Sequence, residues 1–132
     1  MTTSRGHATR SALRWAPPVL WAGFILTLTT WPSSGLPSMA AGMDKVGHFG
    51  LYGVLGFLVG RALRGRLLAS VLAGAAVGIA AFGALDEWHQ IFVPGRSASV
   101  WDWVADVAGM LIGLLSAHFL FSRARTRRDP TS

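Results

Sequence analysis

Residues 67–90 read LLASVLAGAAVGIAAFGALDEWHQ, and the first charged side chain in this stretch is that of Asp86. A helix rises about 1.5 Å per residue, so about 20 residues cross a hydrocarbon core of about 30 Å. Inside lipid, backbone amides and carbonyls must pair within their own segment, which a helix achieves and a lone strand does not. The stretch is therefore predicted to be a membrane-spanning helix.

Three other stretches with few charges have the same character, at residues 15–32, 44–63 and 102–121. Of the 132 residues, 52% are apolar and 14% are charged, against roughly 25% charged in a typical soluble domain. The chain has no cysteine, which excludes disulfides, thiolate catalysis and cysteine-ligated metals. The predicted fold is all-α, a four-helix transmembrane bundle. Its predicted parts are a basic N-terminal tail at 1–14, a four-span domain at 15–121 and a basic C-terminal tail at 122–132.

The formal net charge of +6 is concentrated in the segments between and beyond the predicted spans. Loops rich in Lys and Arg stay in the cytoplasm, so both termini and residues 61–66 are predicted to be cytoplasmic. Residues 33–43 and 91–101 are then extracytoplasmic. Basic clusters beside apolar spans are expected to contact anionic headgroups, so membrane lipids, and no nucleic acid, are the predicted partners.

The head of the chain also has some features of a signal peptide. A basic segment and an apolar stretch precede Ser38-Met39-Ala40, which has the small residues of a cleavage site. However, Pro17-Pro18 and several tryptophans are atypical of a signal-peptide core. We therefore expect the first span to be retained.

Acidic residues are concentrated at the ends of the predicted spans. A charged group at the bilayer centre costs about 2.5–3.5 kcal/mol and less near the interface, so several together require partners or a function. Five of the six acidic residues lie at the extracytoplasmic ends of spans two, three and four: Asp44, Asp86, Glu87, Asp102 and Asp106. The sequence thus predicts a polar pocket open to the outer surface.

Helical spacing groups these residues with histidines, because residues three or four apart share a helix face. The predicted stripes are Asp44, His48 and Tyr52 on span two, Asp86, His89 and Gln90 on span three, and Asp102 with Asp106 on span four. Glycines four residues apart allow helix backbones to approach closely. We expect three such pairs to pack within the bundle rather than to form a dimer: Gly56 and Gly60, Gly74 and Gly78, and Gly109 and Gly113.

The helix dipole separates the carboxylates into two kinds. Asp44 and Asp102 begin their helices, where a negative charge is stabilised and a capping role is available. Asp86 and Glu87 lie near a helix C-terminus, where the dipole opposes a carboxylate by about 0.3–1 kcal/mol. They are predicted to need a cation or, failing one, a protonated carboxyl group. The candidate cations are Lys45, Arg96, a protonated His48 or His89, and a bound metal ion.

Several spaced polar motifs give the chain a specific family resemblance over residues 20–121. The motifs are Asp44-Lys45-Val46-Gly47-His48-Phe49 with Tyr52, then Asp86-Glu87-Trp88-His89-Gln90 with Phe92, Pro94 and Arg96, then Asp102 and Gly109. This pattern resembles the VanZ-like membrane proteins. The resemblance implies a small multi-pass protein of the bacterial cytoplasmic (inner) membrane and cell envelope, with no settled reaction. The family is named from a teicoplanin-resistance determinant, so antibiotic resistance is an implied association.

The resemblance also assigns residues to the family's polar positions. Asp106 departs from it, because members often have Asn there, and this exchange adds a negative charge. The positions that match are Asp44, Lys45, His48, Asp86, Glu87, Gln90, Arg96 and Asp102.

The leading functional hypothesis is a pocket that binds, and in an enzymatic version processes, a lipid-linked or phosphate-bearing envelope precursor. In that version a carboxylate is the base, a histidine is the acid or nucleophile, and Lys45 with Arg96 clamps the anion. The predicted catalytic residues are Asp44, His48, Asp86, Glu87 and His89. The predicted substrate-binding residues are Lys45, Tyr52, Gln90, Arg96, Asp102 and Asp106.

Three alternatives remain open at this point. A metal-dependent version would use Asp44, His48, Asp86 and His89 as ligands, although they form no recognised metal motif. A non-catalytic version is a scaffold or modulator for an envelope partner. Proton-coupled transport is a third, opposed by the absence of ionisable groups in the cytoplasmic halves of the spans. The sequence leaves the cofactor, the metal, the substrate and the oligomeric state unassigned.

Overall fold

A computed structural model describes residues 3–32, 42–63 and 69–126 as four helices and their connections. The helices are α1 (Thr3–Thr30), α2 (Met43–Ala62), α3 (Ala69–Gln90) and α4 (Val100–Thr126). No strand occurs in these ranges, so the all-helical prediction is confirmed. The Ser38-Met39-Ala40 motif, most of the predicted 33–43 loop and most of the basic 61–66 loop lie outside the described residues.

The ends of the helices differ from the predicted spans where polar residues continue a helix. Helix α1 begins at Thr3 and so includes most of the segment predicted as a basic tail. Helix α2 follows Gly42, which has a φ of 91°, in the left-handed region that favours glycine. The turn after α3 contains Gly95, whose φ of 79° has the same explanation.

Helix α4 is capped by a residue that was not predicted to cap it. The Asp102 amide donates to the Ser99 hydroxyl oxygen at 3.3 Å, which satisfies an amide that has no partner within the helix. Ser99 therefore occupies the N-cap, and the prediction that Asp102 could serve as the cap is wrong. Asp102 lies in the first turn instead, where the helix dipole still favours its charge.

Helices α2 and α4 run parallel to each other and form the tightest contact of the fold. At three glycines an added Cβ would overlap the backbone of the facing helix, so only glycine permits this approach. The contacts are Gly56 with Met110, Gly109 with Phe49, and Gly113 with Gly53. Intramolecular packing is thus confirmed for these glycines and for Gly60, which faces Ala117. It is wrong for Gly74 and Gly78, whose Cβ positions have no neighbour within 4 Å.

Helices α1 and α3 pack around this pair through indole hydrogen bonds and a small apolar core. Trp21 Nε1 donates to the Leu51 carbonyl, and Trp103 Nε1 donates to the Ala80 carbonyl, each at 2.9 Å. The core consists of Ile25, Tyr52, Leu55, Ile79 and Met110.

Much of the exterior of the helix bundle is apolar. Exposed side chains include Leu20, Val77, Ile112 and Phe119. Two helices, Ala69–Gln90 and Val100–Arg123, are long and apolar enough to cross a membrane. The four-span count and the cytoplasmic location of the termini remain predictions.

Candidate functional site

The polar residues collect at one end of the bundle, where α2 and α4 begin and α1 and α3 end. Because α2 and α4 are parallel, the first turns of both helices reach the same level as the last turn of α3. The buried polar residues here are Thr29, His48, Asp86, Glu87, Gln90, Asp102 and Asp106. The convergence of three helices that the sequence predicted is therefore present in the structure.

Asp86 is held by two hydroxyl groups from other helices. Asp86 is 1% exposed, and its Oδ1 accepts a hydrogen bond from Thr29 Oγ1 at 2.7 Å. Its Oδ2 accepts from Tyr52 at 3.1 Å. No Lys, Arg or His nitrogen of the described residues lies within ion-pair distance of Asp86. Of the two predicted ways to accommodate Asp86, a cation or a protonated carboxyl group, the cation is absent among the described residues, and neutral hydroxyl donors contact both oxygens.

His48 lies between two carboxylates. Its Nδ1 is 3.0 Å from Asp106 Oδ1 and 3.9 Å from Glu87 Oε1. Glu87 Oε2 accepts a hydrogen bond from the Ser99 amide at 2.7 Å. The remaining oxygens, Glu87 Oε1 and Asp106 Oδ2, are buried and have no hydrogen-bond partner. Buried polar atoms are usually paired, so two unpaired oxygens on the two carboxylates that flank His48 mark this region as chemically unsatisfied.

Asp102 receives its cation from the rim of the site. Lys45 Nζ is 3.1 Å from Asp102 Oδ1 and 3.0 Å from Asp44 Oδ2. The Lys45 and Asp44 side chains are 43% and 50% exposed, whereas that of Asp102 is 11% exposed. Lys45 therefore links the exposed Asp44, at the start of α2, to the buried Asp102, in the first turn of α4. We call His48, Glu87, Asp102 and Asp106 the imidazole cluster.

The predicted site residues that lie outside the buried polar group include Asp44, which is exposed, His89 and Arg96. His89 is exposed, because α3 buries the arc that contains Asp86, Glu87 and Gln90. At about 100° per residue, Glu87 and His89 lie on opposite sides of Asp86, so both cannot face the bundle. Arg96 donates from Nη2 to the Leu28 carbonyl at 3.3 Å and pairs with no carboxylate of the described residues.

Two residues of the site were missed by sequence reasoning. Thr29 is one of several threonines near the end of α1, and only its contact with Asp86 distinguishes it. Ser99 lies three residues before Asp102, and a serine at that spacing before an acidic residue is typical of a helix N-terminus. That pattern was available in the sequence.

A cavity of about 220 Å³ opens beside Glu87. Apolar and small side chains form most of its wall, with the Trp103 indole on one side. It is lined by Ala84, Glu87, Ala98, Ser99, Val100 and Trp103. The imidazole cluster thus has a neighbouring space that suits an apolar or mixed ligand.

The donor geometry tests the metal alternative and changes its ligands. One ligand atom each from His48, Glu87 and Asp102 lies within 4.8 Å of the other two. The predicted set Asp44, His48, Asp86 and His89 does not come together. Asp44 and His89 are exposed, and both oxygens of Asp86 accept hydrogen bonds from hydroxyls.

The described residues form a helical bundle with an apolar exterior and a buried acidic cluster, and two of its helices are able to span a bilayer. These features define the class of small helical membrane proteins. The VanZ/LLP1 family model matches residues 3–121, and the chain is a member of that family. The resemblance seen in the sequence is thereby confirmed over nearly the whole chain. No curated protein and no solved structure gives a significant match.

Proposed function

We propose that this VanZ-family protein is a four-span protein of the bacterial cytoplasmic membrane that binds and processes a lipid-linked, phosphate-bearing envelope precursor. Within this proposal the imidazole cluster faces the extracytoplasmic side. The observation that carries it is the His48–Asp106 contact of 3.0 Å beside the unpartnered Glu87 Oε1. An imidazole held by one carboxylate and adjacent to another is suited to general acid–base chemistry.

The residue roles follow from which atoms remain available. Glu87 is the proposed base, since its Oε1 has no hydrogen-bond partner and the residue lines the cavity. His48 is the proposed acid or nucleophile, with Asp106 holding the ring in position. Asp86 is assigned a structural role, because hydroxyl donors occupy both of its oxygens. The cavity beside Trp103 is the proposed place for an apolar part of the substrate.

The experiment compares the lipid-linked precursors of cells that carry the wild type, Glu87→Gln, His48→Ala or His89→Ala. General acid–base groups contribute about 10²–10⁴-fold to rate, so Glu87→Gln and His48→Ala should eliminate the wild-type change in precursor profile. His89→Ala is the matched control, an exposed histidine on the neighbouring helix that should behave as wild type. Mass spectrometry of extracted lipids gives the readout, with membrane abundance checked by immunoblot. Unchanged profiles in both cluster variants would refute the enzymatic proposal.

A link to glycopeptide resistance is a separate part of the proposal. It requires that the processed precursor also be the target of the drug. The same strains should then differ in teicoplanin susceptibility in the order of their precursor profiles. Equal susceptibility with altered profiles would remove the resistance link and leave the binding and processing proposal intact.

The proposed orientation is testable because the chain has no cysteine of its own. Ser97→Cys, in the exposed connection between α3 and α4, should react with a membrane-impermeant thiol reagent in intact cells. Ser70→Cys, exposed at the start of α3, should react only after the membrane is permeabilised. The reverse labelling pattern would place the cluster on the cytoplasmic side.

The scaffold alternative has one observation in its favour. The Thr29–Asp86–Tyr52 hydrogen bonds join α1, α3 and α2 without leaving a free atom for chemistry. A protein that acts only as a scaffold would depend on this contact and would tolerate changes at Glu87. In that case Asp86→Asn would lower stability in detergent while Glu87→Gln changed neither stability nor the precursors.

A further inference from the structure

We propose that His48, Glu87 and Asp102 bind one divalent transition-metal ion, one ligand coming from each of helices α2, α3 and α4. The ion-binding part of this inference depends on the geometry of the cluster. The part that gives the ion a role toward phosphate rests on the proposed function with one change: as ligands, Glu87 and His48 would hold the ion instead of acting as base and as acid or nucleophile.

The three ligand atoms are close enough to surround a single ion. They lie within 4.8 Å of one another, and all three residues are buried. Ligands at about 2.1 Å from a metal ion are about 3–4 Å apart, so the side chains need to move by less than about 1 Å. Side chains from three separate helices converge here, which distinguishes the group from a row of acids on one helix face.

The partner atoms of Glu87 provide a second and independent observation. Its side chain is 8% exposed, and its Oε1 has no hydrogen-bond partner, while Oε2 is fixed by the Ser99 amide. The unpartnered oxygen points toward His48, whose Nδ1 is 3.9 Å away. A buried carboxylate oxygen without a donor is strongly unfavourable, and a metal ion would remove that penalty.

The charge around the site points the same way. Four buried carboxyl groups, those of Asp86, Glu87, Asp102 and Asp106, lie at this end of the bundle. Lys45 lies within ion-pair distance of one of them, Asp102, and it contacts this carboxylate from the exposed edge of the site. A phosphate group approaching such a cluster would be repelled. A divalent ion would offset the excess negative charge and could ligate a phosphate oxygen directly.

The donor set indicates the class of ion. One imidazole and two carboxylates are borderline-to-hard ligands that suit Zn²⁺ or Mn²⁺ better than Cu⁺, which prefers sulfur. Three protein ligands leave at least one coordination position open, as in catalytic rather than structural zinc sites. Asp106 is a positioning residue in this arrangement, since it contacts His48 Nδ1 at 3.0 Å.

The test measures metal binding by the full chain, purified in detergent without a histidine tag. After equilibration with micromolar Zn²⁺ or Mn²⁺ and removal of free metal, elemental analysis should find about one ion per wild-type chain. Competition with a chelator should show that Glu87→Gln and His48→Ala each weaken binding at least about tenfold. His89→Ala and Asp44→Asn are the controls, since both alter exposed residues outside the group.

A spectroscopic readout covers the case in which a variant fails to fold. Electron spin-echo spectroscopy of the Mn²⁺-loaded wild type should show coupling to an imidazole nitrogen, which His48→Ala should remove and His89→Ala should retain. Circular dichroism verifies that each variant is helical. Absence of stoichiometric metal in the wild type, or wild-type affinity in both Glu87→Gln and His48→Ala, would overturn the inference.

The outcomes also separate this inference from the proposed function. Metal binding that depends on Glu87, combined with unchanged envelope lipids, would keep the ion site and remove the enzymatic role. A precursor profile that depends on Glu87 without metal binding would do the reverse.

Discussion

Asp86 and Glu87 are neighbours in the sequence, yet the structure places them in opposite situations. Both Asp86 oxygens accept hydrogen bonds from hydroxyls of other helices, at 2.7 Å and 3.1 Å. Glu87 has one oxygen fixed by a backbone amide and one without a hydrogen-bond partner. A fully paired buried carboxylate stabilises the packing of helices, whereas an incompletely paired one is available to a ligand. The difference assigns structure to Asp86 and chemistry to Glu87.

The largest expected effect comes from disrupting the packing of α2 against α4, on which the position of the whole site depends. Gly56→Ala places a methyl group against the Met110 backbone, so α2 and α4 must separate. We expect a loss of stability of about 3 kcal/mol, or failure to fold, since overpacking against backbone cannot be relieved by a rotamer change. Thermal unfolding in detergent, followed by circular dichroism, measures the loss.

Gly74→Ala is the matched control for that prediction. Its Cβ position has no neighbour within 4 Å, so the added methyl group meets no protein atom. Replacing an unconstrained helical glycine by alanine should stabilise the protein by about 0.5–1 kcal/mol. Equal losses in the two variants would show that α2 and α4 do not pack as described.

The next effect separates the two carboxylates directly. Asp86→Asn replaces one acceptor by an amide donor that faces a hydroxyl, and we expect a loss of about 1–3 kcal/mol. Glu87→Gln keeps an acceptor for the Ser99 amide and removes an uncompensated charge, so its stability should equal or exceed that of the wild type. Unfolding midpoints of both variants under identical conditions give the comparison. A larger loss for Glu87→Gln would reverse the assignment of roles.

The smallest effect is expected at the exposed rim. Asp44→Asn removes one of the two carboxylates that contact Lys45, and exposed ion pairs contribute little to stability because solvent screens them. Lys45 retains its contact with Asp102, at 3.1 Å. We therefore expect an unfolding midpoint equal to that of the wild type and unaltered metal binding. A substantial loss of stability or of metal binding would mean that Asp44 contributes to the buried site.

Helical periodicity explains both the success and the error of the site prediction. Spacings of three and four residues correctly grouped Asp102 with Asp106 and His48 with Tyr52, because these pairs face the bundle in the structure. The same rule grouped Asp86 with His89 and His48 with Asp44, and it was wrong for His89 and Asp44, which are exposed. On α3 the buried face contains Asp86 and Glu87 and excludes His89. Spacing from a single residue does not determine on which side of that residue the buried face of a helix continues.

Residue spacing along one helix does not predict hydrogen-bond partners that lie on another part of the chain. Asp86 is bonded to Thr29, which is 57 positions away, and Glu87 is bonded to the amide of Ser99. The sequence predicted cations near these carboxylates, because it records the charges of residues but not which neutral groups lie beside them. The donors in the structure are hydroxyl and amide groups instead. Such groups occur throughout the chain, so only the tertiary structure shows which of them contact these carboxylates.

Composition and periodicity alone determined that this chain is helical, that two of its helices at least are apolar enough for a bilayer, and that its acids gather at helix ends. These properties depend on neighbours along the chain, which the sequence lists in full. The glycine contacts between α2 and α4 decide the rotation of these two helices about their axes, and contacts such as Trp103 with Ala80 and Thr29 with Asp86 decide that of α3. That rotation determines which oxygens are paired and which are left for a ligand, because hydrogen bonds depend on distances between atoms of different helices.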